Sequence, residues 1–536
     1  PILTGIEEVG DFQIIREWEQ TSEVGDRAEI RTLGEESTAW SKIDARSELC
    51  AGQKCKQYER CFITLMHQRA SEADIVIVNH HLFFADLNVR GNQFGKVIPD
   101  YSAVIFDEAH LIEDIAADYF GLQVSSFQLD ELVRDTDSLP ITDAIVTRDL
   151  TKLSAKIFGL SEQFWTRFSQ ARFDGRYPLL PDLFSHRTTS GDNRNTPLGE
   201  AFEELESALS SLETAVDGFS EEMPEADSLA RRIRQARQDL DFIVTQAEKN
   251  YVYWLERRGK GIFLRASPVD VSELLRKKLF EKVETCVLTS ATLSSSGSFN
   301  FVRERLGLDS KKTSGMVAPS SFDFEKQAVL YLPKAMPDPR SPEFTQLAAG
   351  EVIKILKATQ GRAFVLATSN QSMNALYELV SMQINYPCFV QGSMSKAGLL
   401  ERFRETPNAV LFATASFWQG VDVQGEQLSC VIIDKLPFAV PTDPVVAARS
   451  RFIEDNGGKP FFEYSVPQAV ITLKQGIGRL IRSRTDRGVI AILDPLLRTK
   501  SYGRDFLQSL PRMRITSDLT DVESILLAAS PVTARS

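Results

Sequence analysis

The residues best suited to chemistry stand in one run, where Asp107-Glu108-Ala109-His110 closes the apolar stretch Ala103-Val-Ile-Phe106. Two carboxylates, a small residue and an imidazole at the end of a short buried strand suit nucleotide hydrolysis. One carboxylate holds magnesium, usually through its water shell, and its neighbour orients the attacking water. Adjacent residues at a strand end can divide these roles because their side chains diverge. An Asp-Glu pair alone would more simply cap the next helix; Ala109 and His110 tip the reading towards phosphoanhydride chemistry.

Three further segments offer partners. Ser290-Ala291-Thr292 follows the strand-like Thr285-Cys-Val-Leu288, and its hydroxyls can bridge the carboxylate loop to whatever moves on hydrolysis. Alone, that tripeptide is an ordinary helix start. Gln475-Gly-Ile-Gly-Arg479-Leu-Ile-Arg482 would place Gln475, Arg479 and Arg482 on one helical face, at i, i+4 and i+7. Its two glycines each cost about 1 kcal/mol of helix propensity, which implies close approach of a backbone or ligand. A guanidinium aimed at a phosphate from a second domain is an arginine finger. Phe412 to Asp422, with Phe417, Trp418, Gly420 and Asp422, suits a loop touching both nucleotide and nucleic-acid backbone. Its aromatic pair reads equally well as core or as a base platform.

Cys50, Cys55 and Cys61, separated by four and then five residues among basic side chains, form a candidate metal site. Structural zinc favours pairs separated by about two to four residues and a fourth ligand, for which His67 is available, and an iron-sulfur cluster wants four thiolates. Both alternatives stand on spacing alone. Cys286, Cys388 and Cys430 lie in apolar runs and read as small core residues.

The elements that must position these groups follow from hydrophobic patterning. Asp74-Ile-Val-Ile-Val78 reads as a strand buried on both faces, preceded by a helix through Phe62 to Ala73. The first forty-odd residues read as irregular structure around short helices. Between about 121 and 255 the period becomes helical. Leu205, Leu209, Leu212 and Val216, then Leu229, Ile233, Ala236, Leu240 and Ile243, predict an antiparallel hairpin broken at Met223-Pro224. From about 320 a second α/β block begins, with strands expected at 329–332, 363–366, 388–390, 410–412, 431–433 and 489–493. Short apolar strands alternating with helices predict a parallel sheet with functional loops at the strands' carboxyl ends. The tail after Ile515 is weakly patterned.

Length and composition bound the rest. A chain of 536 residues exceeds one core and implies three or four domains. No apolar run approaches the ~20 residues of a membrane helix. A net charge of −12 argues against bulk electrostatic capture of nucleic acid, so any such binding needs a locally basic groove. The six cysteines do not form a disulfide-scaffold pattern, which points to the cytoplasm.

With these motifs in this order, the chain resembles the iron-sulfur superfamily-two DNA helicases of the XPD/DinG family, nearest the DinG and YoaA branch. Val104 to His110, Leu288 to Leu293, Ser416 to Asp422 and Gln475 to Arg482 resemble helicase motifs II, III, V and VI; Ile433 to Phe438 also looks like this branch. The resemblance covers about Cys50 to Pro511. It implies an α/β fold with two RecA-like P-loop NTPase motor domains, the first incomplete here, carrying an iron-sulfur insertion and a helical arch insertion. The implied layout is an iron-sulfur region at 1–73, motor one at 74–120 and 256–315, the arch at 121–255 and motor two at 316–536.

By the same resemblance, Asp107 (with magnesium), Glu108, His110, Gln475, Arg479 and Arg482 are catalytic, and Ser290, Thr292, Gly420 and Asp422 contact ATP. Cys50, Cys55 and Cys61 are the last three ligands of a 4Fe-4S cluster. The implied activity is ATP-dependent, five-prime to three-prime movement on single-stranded DNA with unwinding of forked or structured duplexes, by a monomer without a membrane. No Gly-x-x-x-x-Gly-Lys-Ser/Thr loop occurs in these residues. That loop and the first cluster thiol are therefore expected upstream of Pro1, in an N-terminally truncated chain inactive by itself. The alternatives are a nucleic-acid-binding module that has lost its ATPase and a zinc-bound structural protein.

Overall fold

In the computed structural model of this chain, residues 6–30, 33, 37, 39–40, 43, 53, 55–90, 97–168, 171, 173–187, 193–294, 297–414, 417, 427–478 and 480–527 are described. Cys50, Gly420, Asp422 and Arg479, four of the expected site residues, lie outside them. In chain order the strands are β1 (Ala103–Phe106), β2 (Leu122–Ser125), β3 (Gly175–Pro178), β4 (Ser185–Arg187), β5 (Asn193–Asn195), β6 (Tyr251–Arg258), β7 (Gly261–Pro268) and β8 (Thr285–Leu288). They continue with β9 (Ala328–Tyr331), β10 (Ala363–Ala367), β11 (Cys388–Val390), β12 (Val410–Thr414), β13 (Cys430–Ile433), β14 (Gly488–Ile492) and β15 (Arg514–Thr516). The chain divides into two units, Pro1–Ser102 with Asp114–Val269, and Ala103–Glu113 with Asp270–Ser536.

In the second unit, seven parallel strands run in the order β11-β12-β10-β13-β14-β9-β15. Every residue of β9, β10, β12, β13 and β14 is buried, as a parallel strand covered on both faces requires. Alternate side chains serve two cores. Leu330, Phe364, Leu366, Leu411, Val431 and Ile433 pack on one side, and Val329, Val365, Val410, Phe412 and Ile432 on the other. All six strands expected from patterning are present. The tail supplies a seventh, β15, paired with β9, and a closing helix at Leu519–Leu527. A three-residue strand carrying Arg514 and Thr516 has too little apolar signal to be read from sequence.

The same unit holds a second parallel pair, β1 with β8, in the register Ala103↔Thr285 to Phe106↔Leu288. Among the described residues this sheet has two strands, so its faces are largely uncovered. Only Phe106 of β1 is buried, and Ile105 is 72% exposed. The expected burial of this strand is corrected accordingly. The expected strand at 74–78 is also corrected: these residues form no strand, and Ile77 is 93% exposed. A β-branched run favours extended backbone but does not supply the neighbouring strand that completes its hydrogen bonds.

The first unit begins with a helix at Ile6–Glu19, and Cys61 precedes the helix Phe62–Glu72. Its larger part packs four helices, Ser126–Asp137, Ala144–Thr166, Pro197–Asp217 and Pro224–Thr245, on an antiparallel sheet ordered β2-β7-β6-β3. The expected hairpin is present, with every named leucine, valine, isoleucine and alanine of its two runs buried. Pro197 and Pro224 each occupy a first helical turn, where a missing N–H costs nothing. Ion pairs sew the hairpin together: Arg234 to Glu213 at 2.6 Å, and Arg237 to both Glu206 and Glu213. The four-stranded sheet was not expected. Strand β6 continues through residues 255 and 256, and the unit runs to Val269.

Candidate active site

Strands β1 and β8 end side by side, and their backbones continue to pair beyond the sheet. Thr289 N donates to Phe106 O at 2.8 Å, and Ala109 N donates to Thr289 O at 3.0 Å. This fixes Asp107-Glu108-Ala109-His110 against Thr289-Ser290-Ala291-Thr292. Glu108 turns the chain with φ 48°, a left-handed conformation uncommon outside glycine, and leads into the short helical turn Ala109–Leu111. Ala109 is buried in that turn, where a small side chain is needed.

Ser290 is the hub. Its hydroxyl lies 3.1 Å from Glu108 Oε2, 3.0 Å from His110 Nδ1 and 3.2 Å from Thr292 Oγ1, and it accepts a hydrogen bond from Thr292 N at 3.1 Å. Glu108 Oε2 is 3.3 Å from His110 Nδ1. A hydroxyl has one proton to give. When Ser290 donates it to Glu108, His110 must carry its own proton on Nδ1 to reach the serine oxygen. The arrangement holds Glu108 from behind while leaving its carboxylate half-exposed. Asp107 is exposed, with Oδ1 accepting from Glu108 N at 2.9 Å. An exposed carboxylate is a hard oxygen donor of the kind magnesium takes.

Gln475 stands near the end of the helix Val466–Ile477, half-buried. The single helical face expected for Gln475, Arg479 and Arg482 is corrected, because the helix stops at Ile477 with Gly478 as its cap and Arg482 lies beyond it. Asp486 competes for the backbone there. Its Oδ2 accepts from the N–H groups of Arg482 and Ser483, each at 2.8 Å, and forms a turn in place of another helical one. Two glycines make the helix cheap to end at this point.

Lys474, which sequence reasoning did not single out, reaches back to the β8 loop, its Nζ donating to Ser294 O at 3.1 Å. Burial holds this amine below its ordinary pKa. Asp434 and Asp494, also missed, are buried at the carboxyl ends of β13 and β14. They accept backbone N–H bonds from Thr368, Lys435, Leu436 and Leu496, and so shape that end of the sheet. The signal for Asp494 was its position just after an apolar strand, and Asp434 stood within the Ile433 to Phe438 run without being singled out. Phe417 is buried with Lys396 Nζ 5.2 Å from its ring centroid, which favours a core role for that aromatic over a base platform.

Of the three clustered thiols, Cys55 is exposed and Cys61 partly so, and neither is in a disulfide. The Cys61 thiol is held below its ordinary pKa, chiefly by the Thr64 backbone N–H at the start of the Phe62–Glu72 helix. Among the described residues no group of three or more His, Cys, Asp or Glu is placed to hold a metal ion, His67 included. Cys430 is buried in the core as expected, whereas Cys286 and Cys388 are only half-buried; burial pushes the thiols of those two up to about 11 and raises that of Cys430 further. Among the described residues no helix is long and apolar enough to cross a membrane.

Residues 352–513 match the family described as helicase C-terminal domain, and residues 26–129 match the DEAD_2 family. The chain is 34% identical over 511 residues to the ATP-dependent DNA helicase YoaA of Escherichia coli, covering 95% of this chain and 78% of that protein. It is 35% identical over 522 residues to the Haemophilus influenzae protein of the same name, covering 97% and 79%. It is 30% identical over 526 residues to the ATP-dependent helicase DinG of Mycobacterium tuberculosis, covering 96% and 75%. A solved XPD helicase structure shares the fold at a TM-score of 0.51 and 15% identity, over 85% of this chain and 75% of that one.

Proposed function

The chain belongs to the XPD/DinG family of superfamily-two, ATP-dependent DNA helicases, and from that membership we propose how its residues divide the work. The reading is five-prime to three-prime movement on single-stranded DNA, with unwinding of forked or structured duplexes in DNA repair or replication. The cluster around Ser290 is the observation that carries its ATP-hydrolysing step. Residues from the ends of two parallel strands converge on Glu108, and such strand ends are where α/β folds bind nucleotides.

In this reading Glu108 orients the attacking water. A carboxylate that must accept a proton late in the reaction benefits from a fixed orientation, and Ser290 and His110 supply it. Asp107 would hold magnesium through its exposed carboxylate. The ion, when bound, screens charge on the phosphate oxygens. Ser290 and Thr292 relay the state of the site to the segment that Lys474 touches. Gln475, Arg479 and Arg482 act from the second sheet, with the guanidiniums available to developing phosphate charge once that sheet's loops approach. Gly420 and Asp422 complete the nucleotide contacts. The β1/β8 pair and the seven-stranded sheet correspond to the two RecA-like motors, and the helical hairpin unit to the arch.

Cys50, Cys55 and Cys61 are read as thiolate ligands of a 4Fe-4S cluster with one further thiolate. The observation in favour is that Cys55 and Cys61 are both solvent-accessible and outside any disulfide, with Cys61 directly before the helix Phe62–Glu72. The protein would act as a monomer in the cytoplasm, where its DNA and ATP are found. The relatives' printed names disfavour a binding module without ATPase. Strand separation of a forked duplex with a five-prime single-stranded tail tests the reading, using the natural gene product and ATP. Unwinding that requires ATP and that tail supports it; unwinding only from a three-prime tail overturns the polarity.

A further inference from the structure

Glu113 lies one turn past Glu108, at the start of the helix Ile112–Tyr119, and is buried. Arg305, on the helix Asn300–Leu306, grips its carboxylate with both ends of the guanidinium. Its Nε lies 3.1 Å from each oxygen, and Nη2 contacts Oε1. Arg449, on the helix Pro444–Asp455 between β13 and β14, brings Nη2 to 3.1 Å from the same Oε1. The Arg449 Nη1 donates to the Tyr464 hydroxyl at 3.2 Å, and the Arg305 guanidinium sits 5.4 Å from the Tyr464 ring centroid. All four side chains are nearly excluded from solvent.

Burial would by itself raise the Glu113 carboxyl, but Arg449 and then Arg305 hold it below the usual carboxylate range, so it is charged. Two guanidiniums and one carboxylate out of water are a costly way to fill space. Hydrophobic side chains of similar volume would pack as well, whereas a charged cluster fixes one geometry. The cluster also spans the unit. Glu113 belongs to the segment leaving β1 and Arg305 to the segment leaving β8. Arg449 and Tyr464 belong to the block of the seven-stranded sheet. The Lys474 bond to Ser294 is a second tie of the same kind, ending two residues from Thr292 and starting beside Gln475.

We propose that Glu113 is a positioning residue for hydrolysis: clamped between Arg305 and Arg449, it ties the orientation of Glu108 to the position of the second sheet's helices. The path is short. Glu113 starts the helix whose preceding turn is closed by the Leu111 N–H bond to Glu108 O at 3.0 Å. A shift of the Pro444–Asp455 helix therefore moves the backbone that sets Glu108, with no contact between Arg449 and nucleotide. The proposal rests on the reading of Glu108 as the water-orienting carboxylate.

The test uses the natural gene product with Arg449→Met, which keeps much of the side-chain bulk and removes the charge, and Arg449→Lys, which restores a cation. Hydrogen exchange followed by mass spectrometry reads the coupling without turnover. Amides of 104–111 and 286–294 should exchange about tenfold faster in Arg449→Met, those of 224–245 should stay unchanged, and Arg449→Lys should recover part of the protection. Steady-state ATP hydrolysis on an oligo-dT strand should lose about tenfold in kcat with KM for ATP within about twofold, as expected when geometry rather than binding is disturbed. Folded Arg449→Met with unchanged exchange at 104–111, or with unchanged kcat, overturns the proposal. Should Arg449→Met not fold, Tyr464→Phe removes only the hydroxyl that orients Arg449 and is read the same way at smaller amplitude. A wild-type protein without ATPase would defeat the reading of Glu108, while the exchange result would still decide whether the tie exists.

Discussion

Ser290 and Glu108, 182 residues apart in sequence, meet through a hydrogen bond of 3.1 Å from the serine hydroxyl to the carboxylate. Neither neighbours the other in any single element; the parallel pairing of β1 with β8 brings them together. A strained Glu108 backbone at φ 48° needs such outside support to hold one orientation. Ser290→Ala removes that support together with the 3.0 Å contact between the serine hydroxyl and His110 Nδ1. It should lower kcat for ATP hydrolysis by roughly ten- to a hundredfold, the usual consequence of a reacting group misplaced by about an ångström. KM should change little. Steady-state kinetics with saturating single-stranded DNA measure both.

Asp434 provides a pH test independent of the catalytic residues. Burial pushes its carboxyl up to about 6, partly offset by bonds from the Ser372 hydroxyl and the Lys435 and Thr368 amides. Because the folded value lies above the unfolded one near 3.8, the protonated form is favoured in the fold. Its contribution to stability is full below about pH 4 and is lost as pH rises through about 6. Asp434→Asn stays neutral throughout. The stability of the variant relative to wild type, from urea denaturation, should therefore improve by up to ~3 kcal/mol between pH 4 and 7. A pH-independent difference would contradict it.

Gly361 tests the second sheet. It follows the helix Phe344–Thr359 at φ +71°, and an added Cβ would stand 2.1 Å from the Asn408 carbonyl oxygen. Both the backbone angle and the space exclude a side chain, and the obstacle is backbone, which yields poorly. Gly361→Ala should cost about 2–4 kcal/mol, combining left-handed strain with overpacking. Thermal melting followed by circular dichroism reads the loss.

The thiol site makes a spectroscopic prediction. The natural protein, purified without air, should be brown with broad visible absorbance, and Cys61→Ser should bleach it. A colourless wild type with stoichiometric zinc would instead make the site structural zinc.

What could be read without coordinates follows from how much information a local pattern carries. Strands such as Val410–Thr414 are buried on both faces, so their side chains alone announce them. The hairpin runs through Leu209, Leu212, Ile233 and Leu240 carry a helical period for the same reason. Strands β6 and β7 escaped because Glu256, Arg258 and Arg265, which pair with one another and with Asp118, interrupt their apolar run with charges. The run at 74–78 failed in the opposite sense, since extended propensity names no partner strand. Within the site, Asp107, Glu108, His110, Ser290 and Thr292 were legible as types at strand ends. Arg482 was misplaced because the capping carboxylate, Asp486, lies four residues beyond it. Lys474 and Glu113 were invisible, because their partners are 180 and 192 residues away.

If Glu108, held by Ser290 and His110, orients the attacking water, ATP hydrolysis must depend on it and on DNA together. The decisive measurement is ATP turnover of the natural gene product with and without single-stranded DNA, wild type against Glu108→Gln. Turnover should rise with DNA and fall at least about a hundredfold in the variant, while DNA retention is unaffected. Turnover indifferent to DNA, or a variant hydrolysing ATP at the wild-type rate, would contradict it.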